Sequence, residues 1–129
     1  MNSDFPNEMS EYFRLKWDVE RLWSIDLPIR TGRVSDFEWH LDCPFWATKP
    51  PNNIFDLRPR DVLENPESFP ERYQRIVNSD TMKPIDVASF GSLLVVLDGI
   101  HRLANLVLSE ENEMRYRIVP REYLRKIVA

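Results

Sequence analysis

Cysteine is nearly absent from this chain, with Cys43 alone among 129 residues. A single cysteine excludes an intrachain disulfide and any multi-cysteine zinc or iron–sulfur centre. Beside Pro44 it reads as a small packed residue, with a reactive thiol as the alternative. Long apolar runs are missing as well. The longest, Leu93–Leu97, falls far short of the ~20 residues that cross a bilayer. The opening stretch "MNSDFPNEMSEYF" has neither the basic nor the apolar region of a secretion signal. A cytoplasmic protein that does not enter a membrane is therefore expected. Positive charge is not in excess either: 17 basic against 21 acidic residues leave a net charge of −4, which argues against a broad grip on nucleic acid. No internal repeat or low-complexity tract occurs.

What is there is ordinary in amount. Hydrophobic residues make up 43% and charged residues 29%, as in a globular domain, and a length of 129 fits one domain, residues 1–129, with one site. The basic residues are skewed, however: thirteen of the 17 are arginine. The planar guanidinium fork suits phosphate and carboxylate, so the bias favours an anionic small ligand, with an ion-paired surface as the alternative.

Tyr12, Leu15, Val19, Leu22 and Trp23 fall at helical spacing, predicting a helix over 10–24 within an N-terminal extension of about 10–26, ended by "DLP". The core occupies about 28–120. "PIRTGRV" reads as a short strand, and Ser35 with Glu38 has capping-box spacing at the head of a short helix "SDFEWHL". "CPFWATKPPNNIFDLRP" reads as an irregular packed loop. Pro59 suits the first turn of "RPRDVLEN", and Ser68 with Glu71 repeats the capping-box spacing before "PERYQRIVNS", whose apolar face is Tyr73, Ile76 and Val77. "PIDVASF" alternates, Gly91–Ser92 turns, and "LLVVL" has the look of a central strand buried on both faces. Ile100, Leu103, Ala104 and Val107 predict a helix over 100–109. A last strand "MRYRIVP" places Met114, Tyr116 and Ile118 on one face and Arg115 and Arg117 on the other, before a closing helix "REYLRKIV". Helices and strands intermix without regular alternation, so the expected class is α+β.

The chemistry concentrates at "DGIHR", where the apolar strand becomes the helix. A helix N-terminus offers unpaired N–H groups and partial positive charge to an anion. Gly99 clears the approach, and Arg102 adds a bidentate contact. His101 can donate to the same anion or move a proton, since imidazole titrates near neutrality. Asp98 would be repelled by a bare phosphate, and so fits as a Mg²⁺ ligand or as a base for a hydroxyl nucleophile. The plain alternative is an Asp-Gly turn with Asp98 as N-cap and an exposed His-Arg pair.

Elsewhere, Glu38, His40 and Asp42 lie close in sequence, but at alternate helix positions they make no convincing metal set. Trp17, Trp23, Trp39 and Trp46 would be either core or a stacking surface for a base or substrate. Arg58 and Arg60 flank Pro59 and would either cover a phosphate or form a solvated face.

The array "KPIDVASFGSLLVVLDGIHRLANLVL" followed by "MRYRIVP" resembles the ParB/sulfiredoxin superfamily over about Lys83 to Pro120, with Gly99, His101 and Arg102 at the motif positions and "LPIRTGRVSDF" as the family's first strand. The chain is also similar to small bacterial proteins with a "DVERLW" segment and a ParB-like end. The resemblance implies a compact domain with a small mixed sheet and surrounding helices. In this superfamily the turn binds nucleotide phosphates: CTP in ParB, ATP in sulfiredoxin, ADP or ATP in free-serine kinases, whose Asp-Gly-His-His-Arg motif is nearest. The implied cofactors are ATP or another nucleoside di- or triphosphate with Mg²⁺. The implied reaction is phosphoryl transfer to a small hydroxyl acceptor or nucleotide hydrolysis, as in a kinase or nucleotidase. Gly99 and Ile100 would hold phosphate through their amides, His101 and Arg102 would stabilise its charge, and Asp98 would serve as base or metal ligand. Glu38 stands near where the kinases keep an acidic catalytic residue. Sulfiredoxins carry cysteine where this chain has Ile100, so sulfinic-acid reduction is not expected. The alternative is a non-enzymatic nucleotide-sensing or protein-interaction module, such as an antitoxin or accessory protein, with a homodimer or protein partner left open. Nucleic acid is not an expected partner.

Overall fold

Two-residue periodicity organises this molecule around one mixed sheet. The computed structural model describes residues 19–46, 48 and 55–124. Strands β1 (Arg30–Arg33), β2 (Ile85–Phe90), β3 (Leu93–Asp98) and β4 (Glu113–Ile118) lie in the order β1-β4-β2-β3. The β2–β3 pair is the expected antiparallel hairpin about Gly91–Ser92, β4 runs parallel to β2, and β1 is antiparallel to β4. The helices are α1 (Val19–Ser24), α2 (Pro59–Glu64), α3 (Pro70–Val77), α4 (Ile100–Leu108) and α5 (Arg121–Leu124), with 3₁₀ segments at Val34–Asp36 and Glu38–Asp42. The class is α+β, as expected. The rest of the expected N-terminal and closing helices, Trp17, and most of the Pro- and Asn-rich loop lie outside the described residues.

Alternation along the strands divides the core in two. Ile85, Val87, Val96 and Met114 pack on one face against Val62 of α2, Ile76 of α3, and Leu103, Ala104 and Leu106 of α4. The opposite parity, Ala88, Phe90 and Val95, meets Leu22 of α1 and Leu124 of α5. Each buried aliphatic side chain contributes about 1.5–3 kcal/mol. Among the described residues, no helix is long and apolar enough to cross a membrane.

Three local expectations need correction. The strand "LLVVL" is not central but outermost beside β2. It looks central because both core clusters touch it, and because the second 3₁₀ segment covers its outer side: buried His40 accepts the Val96 N–H through Nε2 at 3.0 Å. Its Nδ1–H donates to the Phe37 carbonyl at 2.7 Å, which fixes the tautomer. Neither capping box forms. The "SDFEWHL" segment is 3₁₀, with Arg33 and Phe37 as N-caps, so Ser35 is already inside a turn. In the second case Pro70 occupies the first helical position and moves the N-cap to Phe69, one residue past Ser68. The Pro59 expectation is met, and there the Asp61 carboxylate accepts the Arg58 N–H at 3.0 Å.

Candidate functional site

At the end of β3 the chain passes from extended to helical through Gly99, the N-cap of α4, at φ +119°. A side chain here is disfavoured by conformation and by space: a Cβ would stand 2.8 Å from Arg102 Nη2 and 3.0 Å from Ile85 Cγ1. Asp98 is therefore not the N-cap. Its Oδ2 accepts from Arg102 Nη2 at 2.9 Å, and Arg102 Nη1 donates to the Pro84 carbonyl at 3.1 Å. The guanidinium expected to reach outward for an anion is instead folded back over Gly99, and Arg102 is 7% exposed. The same Oδ2 also accepts the indole N–H of Trp23 at 2.9 Å. Asp98, Gly99 and Arg102 thus form a clasp that locks the start of α4 onto the sheet and ties α1 to it.

His101 faces elsewhere. Its ring stacks on Trp46, with centroids 4.6 Å apart and planes at 24°. Arg72 of α3 lies over the same indole at 4.6 Å and donates from Nη1 to His101 Nε2 at 3.4 Å. Burial, then the charges of Arg72 and Arg75, hold His101 down at about 4, so it is neutral at pH 7 rather than poised to titrate there. Burial and Arg75 also lower the Arg72 guanidinium from its ordinary value. Among the described residues, no carboxylate lies within salt-bridge distance of Arg72. The first turn of α4 therefore carries a basic and aromatic corner, formed by His101, Arg72, Arg75 and Trp46, in which no described carboxylate pairs with Arg72.

Glu38 is not brought to this turn. It lies 3.4 Å from Arg60 and lines a hollow with Val107 and Glu110 at the other end of α4, a helix of nine residues and hence roughly 13 Å long. Asp42 also pairs with Arg60, at 2.7 Å, and Arg58 pairs with Asp61 at 2.6 Å, so neither arginine is offered to a phosphate. Glu38 and Asp42 thus converge on Arg60, while His40 turns away from both into the core. Among the described residues no three His, Cys, Asp or Glu side chains gather as a metal set.

Arg117, on the strand face it shares with Arg115, is a latch. It bonds buried Asp86 at 2.6 Å and caps α1 by donating to the carbonyls of Leu22 at 3.0 Å and Ile25 at 2.7 Å. Sequence reasoning misses Arg72 and Arg75 altogether, because nothing in "PERYQR" shows that α3 lies beside α4. Trp46, core or a stacking surface for a base or substrate by sequence, is buried at 8% exposure and stacks on His101.

Compared with protein-family models, with curated proteins and with solved structures, the chain matches none.

Proposed function

We propose that this chain binds a nucleoside di- or triphosphate at the start of α4, with its phosphates against the corner formed by His101, Arg72 and Arg75 and its base against the Trp46 side. The single observation that carries this reading is the charge of Arg72, which no carboxylate among the described residues pairs with. It meets His101 on one indole beside the first turn of a helix, with Arg75 near enough to depress both, and a bound phosphate supplies the missing negative charge. The resemblance of the Lys83–Pro120 stretch to the ParB/sulfiredoxin superfamily supports the same ligand class. In this proposal Gly99 and the Ile100 amide shape the turn, while Arg102 positions it from within.

Binding is better supported than turnover. Asp98 Oδ2 already accepts two hydrogen bonds, which leaves only Oδ1 for a role as base or Mg²⁺ ligand, and among the described residues no three His, Cys, Asp or Glu side chains gather as a metal set. A nucleotide-sensing module therefore fits better than a Mg²⁺-dependent kinase or nucleotidase.

The test is thermal unfolding with ATP, ADP, CTP and GTP, each with and without Mg²⁺, on the wild type, Arg72→Gln and Asp98→Asn. A ligand that binds only the folded state raises the midpoint. One nucleotide should do so in the wild type and lose most of its effect in Arg72→Gln. No shift with any nucleotide in a folded sample overturns the proposal. Mg²⁺-dependent product formation that stops in Asp98→Asn would instead establish phosphoryl transfer.

A further inference from the structure

On the α1 face of the sheet, a cavity of about 420 Å³ opens between the end of α1 and the start of β2. That volume suits a small ligand. Its walls combine apolar surface from Ile25, Leu27 and Ile29 with the Trp23 ring and the Lys83 ammonium. We propose that this cavity binds a small monocarboxylate with a short apolar body, its carboxylate paired with Lys83 Nζ and its body against Trp23 and Ile29.

Four charged side chains line the cavity, Asp26, Lys83, Asp86 and Arg117, and Lys83 is the one seated against the Trp23 ring. Asp86 and Arg117 neutralise each other at 2.6 Å, and Arg117 is further engaged by the α1 carbonyls, so this pair is closed. Lys83 is open. Its ammonium sits 2.8 Å from the centroid of the Trp23 ring, and among the described residues no carboxylate lies within salt-bridge distance of it. Burial and the nearby Arg102 lower Lys83 from the ordinary lysine value, against the smaller opposing effects of Asp98, Asp86 and Asp80, and an incoming carboxylate adds to that opposition. An amine in the same place meets Lys83 as a like charge and has Asp26 as its opposite partner in the lining, so the preference for a carboxylate rests on Lys83 being seated against the Trp23 ring, where the apolar body docks. An uncharged alcohol gains only the apolar wall, where Trp23 is 45% and Ile29 50% exposed and each has surface left to bury.

This inference does not rest on the nucleotide reading, because the cavity lies on the α1 face and the Arg72 corner beside α3. The test uses the full chain without nucleotide. Hexanoate, phenylacetate, hexanol and hexylamine are titrated calorimetrically, and the Trp23 indole N–H is followed by NMR. Both acids should bind at least about tenfold more tightly than hexanol or hexylamine, and the Trp23 resonance should shift. Lys83→Gln should weaken hexanoate by about tenfold or more and Lys83→Arg should retain it, while Arg72→Gln leaves it unchanged. Failure of both acids to bind the folded wild type overturns the proposal, as does equal binding by Lys83→Gln or by hexanol.

Discussion

Trp23 and Arg102 donate to one and the same oxygen, Asp98 Oδ2, each at 2.9 Å. A helix at the start of the described chain and a helix near its end are thereby held through a single carboxylate. The sharing makes Asp98 a structural residue whatever else it does.

Replacing Asp98 should consequently weaken the fold. Asp98→Asn leaves the guanidinium of Arg102 buried without a counter-charge, and such broken pairs cost about 3–5 kcal/mol when fully buried. Asp98 is 23% exposed, so about 2–3 kcal/mol is expected here. Urea unfolding of Asp98→Asn, Arg102→Met and the double variant measures it. The double variant should lose less than the sum of the two single losses; strict additivity would mean the pair is not coupled.

Gly99→Ala tests the turn itself. At φ +119° and with Arg102 Nη2 2.8 Å from the new Cβ, the substitution should destabilise by about 1–3 kcal/mol. By contrast, Gly91→Ala has φ +64° but nothing within 4 Å of a Cβ, and should cost less. Equal midpoints for the two variants in thermal unfolding would remove the steric part of the explanation.

Arg72→Gln separates ligand binding from stability. Arg72 contacts Trp46 and His101 but closes no ion pair among the described residues, so its loss should lower the unfolding free energy by no more than about 1 kcal/mol. Nucleotide affinity, measured by calorimetry, should fall at least about tenfold. Arg102→Ala, which the motif alone would recommend, cannot make this distinction because it also opens the clasp.

Acid should unfold this protein early, for a reason with a definite sign. Burial pulls His40 from 6.5 to about 4, against the opposing hydrogen bond to Phe37, and His101 is lowered to about 4 as well. In the unfolded chain both protonate near 6.5, so below that pH the unfolded state binds protons that the native state refuses. The stability from neutral His40 is complete above pH 6.5 and is lost as pH falls toward 4, roughly 3 kcal/mol in all. His101 adds a loss of the same sign in the same window. Urea midpoints at about pH 7.5, 5.5 and 4.5 should fall steadily, and His40→Gln should flatten that slope. A wild-type midpoint constant from about pH 7.5 to 5 would contradict the burial of both rings.

The strands, the hairpin and α4 were legible because their patterns are local: alternation from Pro84 to Phe90 and from Met114 to Ile118, and helical spacing from Ile100. The Asp98–Arg102 turn was legible as special, but its internal use was not. Whether Arg102 points out or folds back depends on the space Gly99 leaves above Ile85, and only the packed sheet creates that space. Arg72 and Trp46 were illegible as partners of His101 for a related reason: their meeting depends on how α3 and the loop before α2 dock against α4. The same holds for Lys83 over Trp23. His40 misled in the other direction. By satisfying Val96 from the side, it let an outermost strand carry the apolar sequence of an inner one.

That histidine also bounds the assembly of the sheet. An outermost strand with open N–H groups invites the strand of another molecule, and apolar "LLVVL" would be an adhesive one. His40 and its 3₁₀ segment occupy that margin, while the opposite margin, β1, is only four residues long with Arg30 and Arg33 at its ends. Protonated His40 can no longer accept the Val96 N–H. Acid therefore does more than lower the folding free energy: it bares the stickiest margin of the sheet, and acid-treated protein should precipitate as cross-β aggregates rather than remain dispersed as unfolded monomer.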